Sequence, residues 1–177
     1  MKTRYLLLLL FWLPFAMQAS KLTYHLSMPQ PNSHYFAVKI DVQENTAAAQ
    51  EFKLPVWTPG SYLVREFSKN LQNLQAKQGR RTLNLAQRDK CTWKMVCKPG
   101  EPLVMSYQVY AFDNSVRTAW LDGQRGFFNG TSLCLRVHGQ EKQPHQLQLH
   151  PIHGQAKWQA ATGLTPVKTD KNGFGLY

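Results

Sequence analysis

Tyr35-Phe36-Ala37-Val38-Lys39-Ile40-Asp41-Val42 sets Phe36, Val38, Ile40 and Val42 on one side of a period-two pattern and Tyr35, Ala37, Lys39 and Asp41 on the other. Successive side chains of an extended chain point to opposite faces, so the segment reads as a strand with one face in a core and the other in water. The same alternation recurs at 23–28, 82–86, 92–97, 103–111, 132–137 and 146–150. Turn signals separate these runs: 29–33, Gln78-Gly79, Lys98-Pro99-Gly100, Asp113-Asn114-Ser115, Asp122-Gly123 and 139–144. Short strands punctuated at this spacing predict an all-β fold, an antiparallel sandwich-like domain of paired sheets. Helical spacing is present at 61–71, where Leu63, Val64, Phe67 and Leu71 follow a candidate Ser61 cap. The sequence has no internal repeat and no low-complexity linker.

The amino terminus carries Lys2 and Arg4 and then an unbroken apolar run from Leu6 to Leu13. Such a run is about half of the roughly 20 apolar residues a spanning helix needs, and it ends in Gln18, Ser20 and Lys21. It reads as a signal peptide over 1–19, with cleavage expected after Ala19 and a retained anchor as the alternative. A β domain over 20–165 follows, long enough to bury a core of its own. Residues 166–177 are polar and glycine-rich and read as a linker towards a further domain.

The formal net charge is +11. Its cations are scattered, with one tight group at Arg80, Arg81 and Arg88, and no recognition helix or RNA-stacking platform accompanies them. Charge alone supports weak polyanion contact and no specific nucleic-acid role. Three cysteines, Cys91, Cys97 and Cys134, are too few and odd in number for a disulfide scaffold. If 91–97 is one strand, its ends lie roughly 20 Å apart, beyond the roughly 7 Å Cα limit of a bridge. Free buried thiols are expected for Cys91 and Cys97, and a pairing with Cys134 stays open.

Several segments stand out as words: Leu54-Pro55-Val56-Trp57-Thr58-Pro59-Gly60-Ser61-Tyr62-Leu63-Val64-Arg65-Glu66-Phe67, Tyr107-Gln108-Val109-Tyr110-Ala111, Ser115-Val116-Arg117-Thr118-Ala119, Gly126-Phe127-Phe128-Asn129-Gly130-Thr131-Ser132-Leu133 and Trp158-Gln159-Ala160-Ala161-Thr162-Gly163-Leu164. In this order and spacing they resemble the N-terminal domain of the glycyl aminopeptidase family of zinc metallopeptidases, over about 23–164. The resemblance implies that a thermolysin-like catalytic domain carrying a His-Glu-x-x-His helix follows the β domain, with zinc held there. It implies a periplasmic or secreted location, that catalytic domain as partner, and a peptide substrate for the intact enzyme only. These 177 residues contain no His-Glu pair. Without the zinc ligands and the glutamate that activates water, no catalytic residue, metal ligand or cofactor is assigned to this chain, and it is expected to be inactive alone. His150-Pro151-Ile152-His153 has the spacing of a metal clamp but no neighbouring acidic ligand, and reads as a surface loop.

The candidate site residues are Tyr62, Arg65, Arg125, Asn129, Gly130 and Thr131. Pro59-Gly60 suits a type II turn, around which Trp57 and Tyr62 are expected to pack. Tyr62 and Arg65 project from that corner either as plain structure or into a cleft shared with the catalytic domain, where an arginine suits a carboxylate. Asn129-Gly130 favours a tight hairpin turn with positive φ at both residues. Arg125, Phe127 and Phe128 beside it place a cation and two aromatics on a turn, which fits either interdomain packing or a cleft wall. Asn129-Gly130-Thr131 also fits a glycosylation sequon, discounted because the family resembled is chiefly bacterial. Trp93, Trp120, Trp158, Tyr107 and Tyr110 form either core or a sugar-stacking platform, core being the ordinary reading inside alternating strands. Two other functional classes stay open: a free-standing extracytoplasmic domain that binds protein or carbohydrate, and a basic domain that associates with acidic surface polymers.

Overall fold

The computed structural model describes residues 22–152, 154 and 157–177. The expected signal peptide, its cleavage site and His153 lie outside the described residues. The strands are β1 (Leu22–Ser27), β2 (Tyr35–Val42), β3 (Ala49–Lys53), β4 (Leu71–Gln78), β5 (Arg81–Leu83), β6 (Ala86–Asp89), β7 (Thr92–Val96), β8 (Leu103–Tyr110), β9 (Ala119–Leu121), β10 (Gly126–Phe128), β11 (Arg136–Val137), β12 (His145–Leu149), β13 (Lys168–Thr169) and β14 (Gly175–Leu176), with one helical turn, α1 (Gly130–Leu133). They form an eight-stranded sheet in the order β13-β14-β12-β1-β2-β8-β4-β5, a four-stranded sheet β11-β3-β7-β6 and the β9-β10 ribbon. The expected all-β architecture of paired sheets is the one observed. Pairing is antiparallel between the named strands except for β1 with β12, which run parallel.

Alternation decides which face of each long strand is buried. Leu22, Tyr24 and Leu26 of β1, the even positions Phe36 to Val42 of β2, and Leu103, Met105, Tyr107 and Val109 of β8 make one apolar face. It shares a single core with Phe52, Trp93 and Met95 of the smaller sheet and with Leu133, Leu135 and Val137. Trp93 and Tyr107 are therefore core. Polar side chains tie down the backbone where strands end: Asn45, fully buried, donates to the carbonyls of Ala47 and Lys98, while Gln78 bonds Lys98 N and the carbonyls of Lys98 and Glu101. In β4 the register shifts between Gln72 and Gln75; Asn73 takes φ 55° there and donates to Gln108.

Two tyrosines cross the core. Tyr107 Oη donates to Leu133 O at 2.8 Å and accepts from Leu135 N at 3.1 Å, and Tyr24 Oη donates to Leu135 O at 2.8 Å. Residues 133–135 are not in a ladder, so these hydroxyls satisfy buried backbone groups that no strand reaches. Burial raises the pKa of both phenols above the usual range.

Several local expectations are corrected. Residues 61–71 do not form a helix: a 3₁₀ turn spans Phe67–Asn70 and β4 begins at Leu71. Leu63 and Val64 face water, so no packed face repays helix nucleation. The 82–86 run is split, β5 pairing with β4 in the large sheet and β6 with β7 in the small one, so the chain changes sheets at 84–85. The run at 132–137 begins instead with α1, because Asn129, Thr131 and Ser132 offer the backbone local hydrogen bonds.

Residues 166–177 are not an irregular linker in this structure. β13 and β14 pair with each other, and β14 pairs with β12. Asp170 Oδ1 accepts from Asn172 N and Phe174 N to close the turn, Phe174 is buried, and Tyr177 exchanges backbone bonds with Leu147. A Cβ at Gly175 would stand 2.2 Å from Lys168 O, so glycine is needed for the two strands to approach. Cys91 and Cys97, at either end of β7, are buried free thiols as expected, and Cys134 is also unpaired. Burial pushes the Cys134 thiol up to about 12.

Tyr107→Phe preserves the ring but leaves Leu133 O and Leu135 N without a partner, and is expected to lower unfolding free energy by about 1–3 kcal/mol. Urea unfolding followed by tryptophan fluorescence measures it; a loss below about 0.5 kcal/mol would show that water replaces the hydroxyl.

Candidate functional site

At one end of the large sheet β2 begins, β8 ends and β4 begins, with Tyr35 opposite Tyr110 and Leu71 opposite Val109. The residues before β4, after β8 and around the β9–β10 ribbon gather at this end. α1 packs on the Phe67–Asn70 turn, and Asn129 N and Ser132 Oγ both donate to Thr118 O. Four of the sequence words thus contribute to one end face, although the chain separates them.

The corner at 57–65 is held by its own hydrogen bonds. Ser61 N donates to Thr58 O at 3.0 Å, and Gly60 has φ +78°, as a type II turn requires. Trp57 Nε1 donates to Ser61 O, Arg65 N donates to Val56 O at 2.6 Å, and the Arg65 guanidinium reaches Ser61 Oγ at 3.2 and 3.3 Å. Arg65 is therefore partly committed to bracing the corner. Trp57, 53% exposed, lies against the corner through its bond to Ser61, whereas Tyr62 does not pack around it and is fully exposed. Leu63 and Val64 follow at 63% and 76% exposed, making three consecutive large side chains in water. Behind them Thr58 is buried and its hydroxyl has no hydrogen-bond partner among the described residues.

The ribbon side carries an aromatic ladder. Tyr35 lies 5.3 Å from Tyr110, His34 lies 4.1 Å from Phe112, and Phe112 stacks on Trp120 at 4.3 Å and 20°. Arg125 caps the series, 5.6 Å from the Trp120 centroid, and donates to Asn114 Oδ1 at 2.9 Å. Asp122 fixes this geometry, accepting from Gln124 N, Arg125 N and Trp120 Nε1 at 2.8 Å each. The Arg125 amide, then the Gln124 amide, hold its carboxyl below the usual range. Tyr110 and Phe112 remain exposed at the ladder's outer side.

Asn129 and Gly130 do not form a positive-φ hairpin turn. Asn129 has φ −94° and caps α1, its side-chain oxygen accepting from Thr131 N at 3.1 Å and Thr131 Oγ1 at 2.6 Å. Of the six expected site residues, Arg125 sits in the turn that joins β9 and β10, Asn129, Gly130 and Thr131 follow the opposite end of β10, and Tyr62 and Arg65 stand on the corner. The fifth word is linked to them through a cavity of about 850 Å³, where Phe127, Phe128 and Gly130 face Trp158, Leu164 and Phe174. Sequence reasoning missed the ladder and the Thr58 hydroxyl. The sequence offers Trp120 and Tyr110 as core or as a sugar-stacking platform, and only the fold brings His34, Phe112 and Trp120 from three segments into contact. Among the described residues no group of three or more His, Cys, Asp or Glu side chains is arranged to hold a metal.

The sequence matches the peptidase M61 N-terminal domain family over residues 23–177. Among solved structures, an aminopeptidase N family protein from Idiomarina loihiensis is 38% identical with a TM-score of 0.83, over 88% of this chain and 26% of that one. The chain thus spans about a quarter of that protein. No curated protein matches at a significant level.

Asn129→Ala removes the α1 cap and is expected to cost about 1 kcal/mol, whereas Asn129→Asp keeps an acceptor and should cost little. Comparing the thermal midpoints of the two variants decides whether the cap or the amide group matters.

Proposed function

Because this chain belongs to the peptidase M61 N-terminal domain family, we propose that its end face docks against the catalytic domain of an exported zinc aminopeptidase of the glycyl aminopeptidase, thermolysin-like type and forms one wall of its substrate cleft. That the chain is a peptidase N-terminal domain follows from the family match and the Idiomarina loihiensis structure. The observation that carries the docking is the Trp57–Val64 corner. It is braced internally yet holds Tyr62, Leu63 and Val64 in water, an arrangement that costs free energy until a partner covers it. Tyr62 and the ladder capped by Arg125 flank the cleft, and Arg125 meets a carboxylate of substrate or partner.

Zinc belongs to the catalytic domain in this reading. The sequence lacks a His-Glu pair, so the His-Glu-x-x-His helix that would hold the ion is assigned to that domain. Export is supported by the amino-terminal charge and apolar run.

A chimera in which this chain replaces the matched quarter of the Idiomarina loihiensis protein should be soluble and hydrolyse an aminoacyl anilide, while the chain alone should not. Leu63→Asp with Val64→Asp should leave the isolated chain's unfolding midpoint unchanged and reduce the chimera's kcat/KM at least tenfold. Equal activity with and without the two substitutions would sink the docking surface. Chelator-sensitive hydrolysis by the chain alone would sink its inactivity.

A further inference from the structure

On the outer face of the large sheet, away from the core, β1 and the residue after β12 bring two imidazoles together. His25 Nδ1 and His150 Nε2 are 3.2 Å apart, and the ring centroids are 5.4 Å apart at 21°. That centroid separation is close to the largest that a 3.2 Å nitrogen contact allows. The rings therefore meet edge to edge, with two nitrogens facing each other.

His25 Nε2 lies 2.9 Å from Asp41 Oδ2, across the β1–β2 pairing. A nitrogen facing a carboxylate carries the proton, so the lone pair of His25 is on Nδ1 and points at His150. His150 Nε2–H donates to it in the structure. We propose that this pair is a binding site for a borderline divalent metal ion of the zinc and copper class, with His25 Nδ1 and His150 Nε2 as protein ligands and Asp41 as the carboxylate that orients His25.

Four observations carry the assignment. Two nitrogens bound to one tetrahedral zinc at about 2.0–2.1 Å stand about 3.4 Å apart, so the observed 3.2 Å matches the separation a shared ion needs, and what must change is the direction of the His150 nitrogen. The carboxylate on the far nitrogen is the arrangement that fixes tautomer and ring orientation in histidine metal sites. Imidazole nitrogens are preferred ligands of this class of ion. The pair also opens on a groove of about 390 Å³ lined by Ser27, Asn73, Gln75, Ser106 and Gln108, where water can complete the coordination.

Binding requires the His150 ring to turn its Nε2 outward, and its proton to pass to Nδ1 through solvent. No proton leaves the protein when both rings start neutral. Lys39 faces the site as an opposing charge: it is 2.8 Å from the same Asp41 oxygen. It weakens attraction for a dication, and its removal should tighten binding.

The test is titration of the metal-stripped chain with Zn²⁺ alone by calorimetry near pH 7.5, with circular dichroism of each variant as the folding control. One ion per chain is expected, with affinity reduced at least tenfold in both His25→Gln and His150→Gln. Asp41→Asn should lower it roughly tenfold or more, and Lys39→Met should raise it severalfold. Long-range ¹H–¹⁵N spectra of the unsubstituted chain give a readout independent of the variants, because Zn²⁺ should shift His25 Nδ1 and His150 Nε2 while His25 Nε2 stays protonated. Binding unchanged in both histidine variants, or spectra in which the two nitrogens do not move, would show the contact to be a hydrogen bond only and overturn the site.

Discussion

The structure depends on how a stretch of backbone outside any strand is buried between two sheets. Leu133 and Leu135 are completely excluded from water, and the peptide groups around them have no ladder to join. Tyr107 and Tyr24 solve this from the large sheet, three hydrogen bonds reaching across the core to residues 133–135. Their rings remain part of the apolar layer, so the polar tips cost no break in packing. This fixes where α1 sits, and with it the ends of the β9–β10 ribbon and the 3₁₀ turn before β4.

The end face inherits its rigidity from that core. Ser132 and Asn129 both attach to Thr118 O, so the ribbon and α1 move as one with the Tyr107 anchor. Asp122 then sets the ribbon turn and orients Trp120 beneath Arg125. A surface built on such braces is pre-organised: exposed Tyr110 and Phe112 are held by neighbours rather than ordered on contact. Little conformational entropy is left to lose when a partner covers them. The corner at 57–65 follows the same logic, with Arg65 spending two of its donors on Ser61 and leaving the apolar tips outward.

Strands whose residues alternate between apolar and polar were legible in the sequence: β1, β2, β7, β8 and β12 sit where the period-two pattern placed them, within a residue or so. What was not legible has specific causes. The change of sheet between β5 and β6 leaves no mark in a short polar run. α1 is set by the Asn129 cap and by Ser132 reaching Thr118, a bond that needs the ribbon in place. β13 is polar and lies at the edge of the sheet, β14 is only two residues long, and their pairing rests on the Asp170 turn and on Gly175 rather than on hydrophobic pattern. Of the candidate site, the words marked segments that the fold gathers at one end of the sheet, but their side-chain roles did not follow. Asn129 suggested a hairpin turn and is a helix cap; Tyr62 suggested packing and is solvent-facing.

These misreadings share a direction. Pro59 and Gly60 settle their turn within a few residues, whereas Asn129 suits a hairpin turn or a helix cap equally, and its backbone bond to Thr118 goes with the cap. Whether the same residue faces core, water or a partner depends on strands brought in from elsewhere. His25 illustrates the limit: in β1 it reads as one polar position of an alternating strand. Its meaning appears only when β2 supplies Asp41 and the parallel strand β12 delivers His150. The parallel pairing is the element the alternation could not announce, because period two is the same for either strand direction. Chemistry that spans β1 and β12 was therefore beyond the sequence even where both strands were correctly placed.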